Sequence, residues 1–513
     1  MPDQPRSLPG QPSLRYLKLE AKRRLADGEF SALHDAQVAI AREHGQPSWA
    51  ALKQVISDQS ERESHALAQL RWAIARFREA GEPGWTPPAD EEIREHFDDH
   101  VLSIVSPEAL IKSITGMASA LRGELVVTSL APLGVRAEIG GLEVFASVEA
   151  EPPHRFTGLQ GIALGGRVTD SRAAAPPPAR TLGDAPGWAA EIAESMFGEL
   201  GLAGLVLAGR EAGRPPAAPA WVLAKGWADL GRGEVLETSH RFPASGISAL
   251  VTATAVLRLV GDGRAGLDAP ANDYLRTVRL ADDTVTVREL LSHTGGVDSP
   301  APASMIADSV PDLVTVTGPV IACGGPRGEV RPSNGGSAAL GQLLADVTGS
   351  PFTEAAASLV LRPLGMNDSS FPASAAEIGP PAVTCYNVTP EGSFEPAPAK
   401  VCTLPAAGGL WATADDIARL GAGWSSLLPE TLAREVLTAE NGEGRTALGW
   451  FITPRGDIAM NGGALPGSAA SLLLRIRDGQ LHVMMTTRYV ALDHIHDRVL
   501  RAWANHASFG PQP

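Results

Sequence analysis

Apolar residues recur at helical spacing through the first part of the chain. Leu14, Leu17, Ala21 and Leu25 form one stripe, and Leu33, Ala36 and Ile40 a second. After the break at Gly45-Gln46-Pro47, Ser48 is placed to cap a turn carrying Trp49, Leu52 and Ile56. Leu67, Leu70, Ile74 and Phe77 mark a further helix that closes before Gly81. The pattern predicts a helical module over 1–80. GEPGWTPPAD (81–90) is linker-like. Helical spacing returns around Ile93 to Leu102, and Ser106-Pro107-Glu108 is a helix start with proline in the first turn. After Gly123 the period changes to two, and ELVVTSLA, GVRAEI and LEVFASVEA read as antiparallel strands. Helices followed by a meander predict a small α+β domain over 88–170.

A Pro/Ala-rich stretch, 171–186, reads as a linker. Beyond it, over 187–508, the pattern gives a helix from Trp188 to Leu200 and strands at Gly204–Gly209 and Trp221–Trp227. Next comes the turn Pro243-Ala244-Ser245-Gly246. It opens an amphipathic helix carrying Leu250, Ala253, Val256, Leu257 and Val260, stopped by Gly261 and Gly263. Near the end, ALGWFITP, GSAASLLLRIRD and LHVMMTTRYV read as strands, followed by a helix from Leu492 to Trp503. Helices at both ends of an antiparallel sheet, with a helical region inserted, define an α+β sandwich.

Composition narrows the functional classes. A length of 513 residues implies several domains, and 44% hydrophobic content supports real cores. The net charge of −15 argues against nucleic acid as a partner. Cys323, Cys385 and Cys402 have neither ligand-like nor disulfide-like spacing and are expected reduced and buried. No apolar leader and no membrane-length run is evident, so a cytoplasmic protein without a membrane partner is expected. No metal cluster, P-loop or dinucleotide fingerprint is present, and no cofactor is expected. His34 and His44 lack a second ligand pair and read as ordinary helix residues. His154, in Pro-Pro-His-Arg, reads as a loop residue.

Several phrases carry family resemblances. LHDAQVAIAREHGQPSWAALKQVI resembles a helical module found beside ankyrin repeats in bacterial proteins. The layout of 88–170, with PPHRFTGLQGI at its exit, resembles a cystatin-like or nuclear-transport-factor-like accessory domain. In the last segment FPASGISALVTATAVLRLVGDGRAGLDAP, VTVRELLSHTGGVDS, PSNGGSAALGQLLADVTGSPFTEAAASLVLRPLGMNDSSF, AAGGLWATADDIARL and NGGALPGSAASLLL occur in the same order as in the serine β-lactamase and penicillin-binding-protein superfamily. They are closest to its class C and esterase-like branch. The resemblance covers 187–508. It implies a nucleophilic serine, acyl transfer to or hydrolysis of an ester, amide or lactam, and three motifs.

In the first motif, S-x-x-K, the lysine takes the serine proton. Here Ser245 is followed by Ser248 in place of the lysine. In the second, Y-x-N or S-x-N, Pro332 stands in the shuttle position and Asn334 is kept. In the third, K-x-G or H-x-G, Asn461 replaces the cation, while Gly462 and Gly463 would let a ligand lie along the strand. The resemblance also implies oxyanion donors from the Ser245 N–H and the 461–465 strand. The proton-handling member of all three motifs is thus replaced.

Two readings of Ser245 follow: the N-cap of the next helix, or a nucleophile. His293, His240, Tyr386 and Lys400 are the candidate substitutes for the missing base, with His293 mainly structural in its turn phrase. The protein is then either a serine hydrolase homologue with impaired activity or a non-catalytic protein that binds a small molecule. In a third reading the middle domain holds an apolar ligand.

Overall fold

The structure is a computed structural model. It describes residues 64–490 except 99–100, 103–106, 116–117, 119, 132–133, 141, 150–151, 164–175, 214–219, 299–305, 390–391, 439–445 and 454–455. It also describes 32–43, 48–53 and a few residues between 21 and 46. Leu14, Leu17, Ile56, Ser106 and the helix expected at 492–503 lie outside the described residues. The chain divides into two units, Met1–Ala163 and Leu164–Pro513.

In the first unit, helix α1 (Leu33–Glu43) buries Ala36 and Ile40, with Leu52 in the same cluster. Ser48 caps as expected, its Oγ accepting from the Ala51 N–H at 3.1 Å. Helix α2 (His65–Phe77) is capped by Ser64, and short helices α3 (Asp90–His96) and α4 (Pro107–Thr115) follow. Strands β1 (Leu125–Ala131), β2 (Gly134–Ile139), β3 (Leu142–Val148) and β4 (Phe156–Ala163) form an antiparallel meander in that order. Leu67, Leu70 and Phe77 of α2 share one core with Ile139, Val144 and Phe156. The helix that periodicity grouped with residues 1–80 therefore packs on the sheet, because its apolar stripe is the cover that the inner face of the sheet needs.

The second unit is built on an eight-stranded sheet. Its strands are β5 (Arg180–Leu182), β6 (Gly204–Arg210), β7 (Trp221–Asp229), and, later in the chain, Phe451–Ile452, Ile458–Leu465, Ser468–Arg475 and Leu481–Thr486. The pair Glu234–Val235 adds to the end of β7. β5 falls inside the stretch read as a linker. It is short and exposed, and pairs its three residues with Val222–Ala224. Helix α5 (Gly187–Leu200) covers one face of the sheet. Period two sorts the central strands: Leu205 and Leu207 of β6 face the α5 side, while Val206 and Ala208 face the main core.

That main core surrounds helix α6 (Ile247–Gly261). The pattern predicted an amphipathic helix, yet α6 is buried nearly all round. The polar residues that would mark a solvent face are Ser248, Thr252 and Thr254, and each hydroxyl is bonded to a backbone carbonyl. Hydroxyls satisfied within the helix can be buried at little cost. α6 packs against helix α7 (Asn334–Thr348) and the short helix Pro405–Gly408. Helix α8 (Ala414–Gly423) lies against β6 and Leu481–Thr486.

Candidate active site

The serine turn is held from two sides. Phe242 and Pro243 pair with Ala412 and Trp411, and the Ala244 N–H donates to Leu410 O at 2.8 Å. From the other side comes the strand Ile458–Leu465. A Cβ on Gly246 would lie 2.2 Å from Gly462 O, and one on Gly463 would lie 2.5 Å from Gly246 N. Only glycine lets the two backbones approach so closely. The structure therefore brings Ser245, Gly246, Gly462 and Gly463 together.

Ser245 is not an N-cap. It has φ +48°, a left-handed conformation uncommon outside glycine, and Gly246 occupies the capping position with no side-chain bond. The Ser245 side chain is 1% exposed, and its Oγ has no hydrogen-bond partner among the described residues. The left-handed turn carries the hydroxyl away from the helix N–H groups that a capping serine would meet.

Ser248 is fully engaged. Its Oγ donates to Ser245 O at 2.7 Å and accepts from the Leu410 N–H at 2.9 Å. Its only proton is used on a carbonyl, so it relays nothing to Ser245 Oγ. One turn on, Thr252 donates to Ser248 O and to Ala406 O, at 3.1 and 2.8 Å. Together the two hydroxyls join α6 to segment 406–410.

The second motif opens α7. Ser333 is its N-cap, with Oγ accepting from the Gly336 N–H at 2.9 Å; Pro332 is exposed and Asn334 half-buried. In the third, Asn461 is buried and its Nδ2 donates to Gly449 O at 2.9 Å. Gly449 is itself pressed on Ala253 of α6. The Asn461 amide thus ties the strand to the turn packed on α6.

Among the described residues, none of the four candidate bases bonds to Ser245 Oγ. His293, at φ +57°, stacks on Phe451, and its Nδ1 accepts from the Ser333 N–H at 3.4 Å. Burial lowers its pKa to about 4, so the ring is neutral near neutral pH. His240 is buried between the Glu237 N–H, 3.0 Å from Nδ1, and Glu234 Oε1, 3.1 Å from Nε2. The Tyr386 hydroxyl accepts from the Leu230 N–H at 2.8 Å. Residues 188–505 contain only two lysines, Lys225 and Lys400. Lys225 Nζ donates to Glu194 Oε1 at 2.6 Å, and Lys400 pairs with Asp308.

Beside the serine turn lies a cavity of about 490 Å³ that sequence reasoning missed. Pro243, Trp411 and Leu465 line it, Pro243 being two residues from Ser245 and Leu465 two from Gly463. Most of the rest of its wall comes from 375–385 and 397–400, with Arg232, Glu234, Ile306 and Pro466 completing it. Arg241 pins that wall by donating to Ile378 O and Gly379 O. The one sequence signal was Lys400, a cation ending the Pro/Ala stretch 396–400, there considered only as a base. Among the described residues there is no group of three or more His, Cys, Asp or Glu side chains placed to hold a metal ion. No described helix is long and apolar enough to cross a membrane.

Comparison with known proteins supports the family assignment of the last segment. The β-lactamase family model matches residues 188–505, more than half the chain, and the protein belongs to that family. It is 29% identical over 153 residues to penicillin-binding protein 4 of Amycolatopsis lactamdurans, a match covering 29% of this chain and 40% of that protein. It is 30% identical over 169 residues to esterase EstB of Burkholderia gladioli, covering 29% of this chain and 43% of that one. The matched regions thus span less than half the length of either relative. Among solved structures, the penicillin-binding protein from Bacillus halodurans aligns at TM-score 0.52 and 21% identity, over 62% of this chain and 99% of its own; this likeness concerns the fold.

Proposed function

We propose that the second unit is a non-catalytic member of the β-lactamase family, which binds a small ester-, amide- or lactam-like molecule and does not turn it over. The observation that carries this reading is the state of the serine. Ser245 Oγ is buried with no hydrogen-bond partner among the described residues. Meanwhile Ser248, the two lysines of the domain, His240 and His293 are all committed elsewhere. An alcohol without a base is a weak nucleophile near neutral pH. The exposed Pro332 and the amide of Asn461 remove the remaining proton-handling positions.

One observation favours a second reading, a slow acyl hydrolase. The left-handed φ of Ser245 is a strained conformation of the kind found at functional sites. A strongly activated ester would then acylate Ser245 Oγ, its phenolate leaving with the serine proton, and water would later release the acyl group as a carboxylic acid. Steady-state assays with p-nitrophenyl butyrate and nitrocefin separate the two. We expect wild type and Ser245→Ala to hydrolyse both at the same background rate. A Ser245-dependent rate on either substrate would support the hydrolase.

A further inference from the structure

The cavity beside the serine turn carries a charge pattern that the family motifs do not account for. Its charged wall residues are Arg232, Glu234 and Lys400. Arg232 and Glu234 neutralise each other at 2.9 Å, with Asp229 and His240 as further partners. The Thr384 hydroxyl is spent on Asp229 Oδ2 at 2.6 Å. Burial pushes the Cys385 thiol up to about 12, so it adds no anion. Lys400 is the cationic wall residue paired with a single carboxylate that lies well exposed outside the wall. Its partner Asp308 is outside the cavity wall and 83% exposed, whereas the Lys400 side chain is only 30% exposed. An exposed carboxylate is a weakly held partner, readily exchanged for a ligand anion. The remaining wall is apolar and rich in proline and alanine, and the volume is that of a small-molecule site.

We propose that this cavity binds a small amphipathic monoanion, with its apolar body against Pro243, Trp411 and Leu465 and its charge on Lys400. The inference rests on the ligand-binding reading above and gives the ligand a chemical class. It also moves the anion-recognising cation from the strand position held by Asn461 to the far wall of the neighbouring cavity.

Two dyes of similar aromatic body test it by fluorescence titration of the full chain: 8-anilinonaphthalene-1-sulfonate, which is anionic, and N-phenyl-1-naphthylamine, which is neutral. The wild type should bind both. Lys400→Gln should weaken the sulfonate about tenfold and the neutral dye less than about twofold. Asp308→Asn, which removes the competing carboxylate, should tighten the sulfonate. Ala382→Trp should block both dyes by filling the cavity. Both Lys400 and Asp308 are accessible side chains, so their variants should fold, as circular dichroism would verify. Equal sulfonate affinity in wild type and Lys400→Gln, undiminished binding by Ala382→Trp, or no binding to wild type would overturn the proposal. Ser245→Ala should bind both dyes as wild type does. A failed titration therefore removes the cavity assignment alone, while a Ser245-dependent adduct removes the non-catalytic reading alone.

Discussion

The serine turn and the cavity beside it share neighbouring residues but handle polarity in opposite ways. At the turn, the hydroxyls of Ser248 and Thr252 and the amide of Asn461 are spent on backbone groups, and glycine meets glycine across a closed contact. In the cavity, Lys400 is part of the wall and its ammonium is paired with an exposed carboxylate. The contrast is one of closed backbone packing at the turn against an open, mostly apolar wall beside it. Ser248 and Asn461 each satisfy a backbone group and Pro332 is exposed; under the reading proposed above, a ligand would meet the adjacent wall instead.

The sharpest way to break the comparison is to put a side chain into the glycine contact. Gly246→Val would drive a Cβ to 2.2 Å from Gly462 O. Urea unfolding should show a loss of roughly 3 kcal/mol or more. A loss below about 0.5 kcal/mol would mean that the two backbones part easily and that the turn is not closed.

His293 gives a test by pH. Its folded pKa of about 4 lies below the ordinary 6.5, so the unfolded chain binds more protons between those values. Its contribution is complete above pH 6.5, is lost as pH falls toward 4, and amounts to at most about 3 kcal/mol. His293→Asn, with a residue that tolerates the left-handed backbone, should flatten that part of the stability profile. An unchanged slope would remove His293 as the cause.

Ser248→Ala should cost about 1–2 kcal/mol by leaving the Leu410 N–H and Ser245 O without their partner. A smaller change would undercut the structural role given to this hydroxyl. The smallest effect is expected at the serine itself. Ser245→Gly removes a hydroxyl that bonds to nothing described and relieves a positive φ, so thermal unfolding should show a gain of about 0.5–1 kcal/mol. A marked loss would reveal a bond to that hydroxyl.

Much of the frame was legible in the sequence. Helical spacing found α6, period two found the meander and the late strands, and the order of five phrases indicated the family. The amphipathic reading of α6 failed because serine and threonine can be buried once their hydroxyls bond to carbonyls within their own helix. β5 was missed because three exposed residues in a Pro/Ala stretch show no alternation. Ser245 suggested an N-cap because serine before a helix usually is one, and sequence does not disclose a left-handed turn. The partners of Ser248 and Asn461 were hidden for a plainer reason. Leu410 lies 162 positions from Ser248, and Gly449 lies 12 from Asn461 across a turn, so only the folded chain joins them. The cavity drew on positions 232, 234, 243, 306, 411, 465 and 466 and on segments 375–385 and 397–400, which share no motif.

The central claim is that nothing takes the proton from Ser245. Intact-mass measurement after incubation with a fluorophosphonate, with Ser245→Ala alongside, tests it most directly. The account predicts unmodified protein in both samples. A stoichiometric adduct on the wild type that is absent from Ser245→Ala would contradict it.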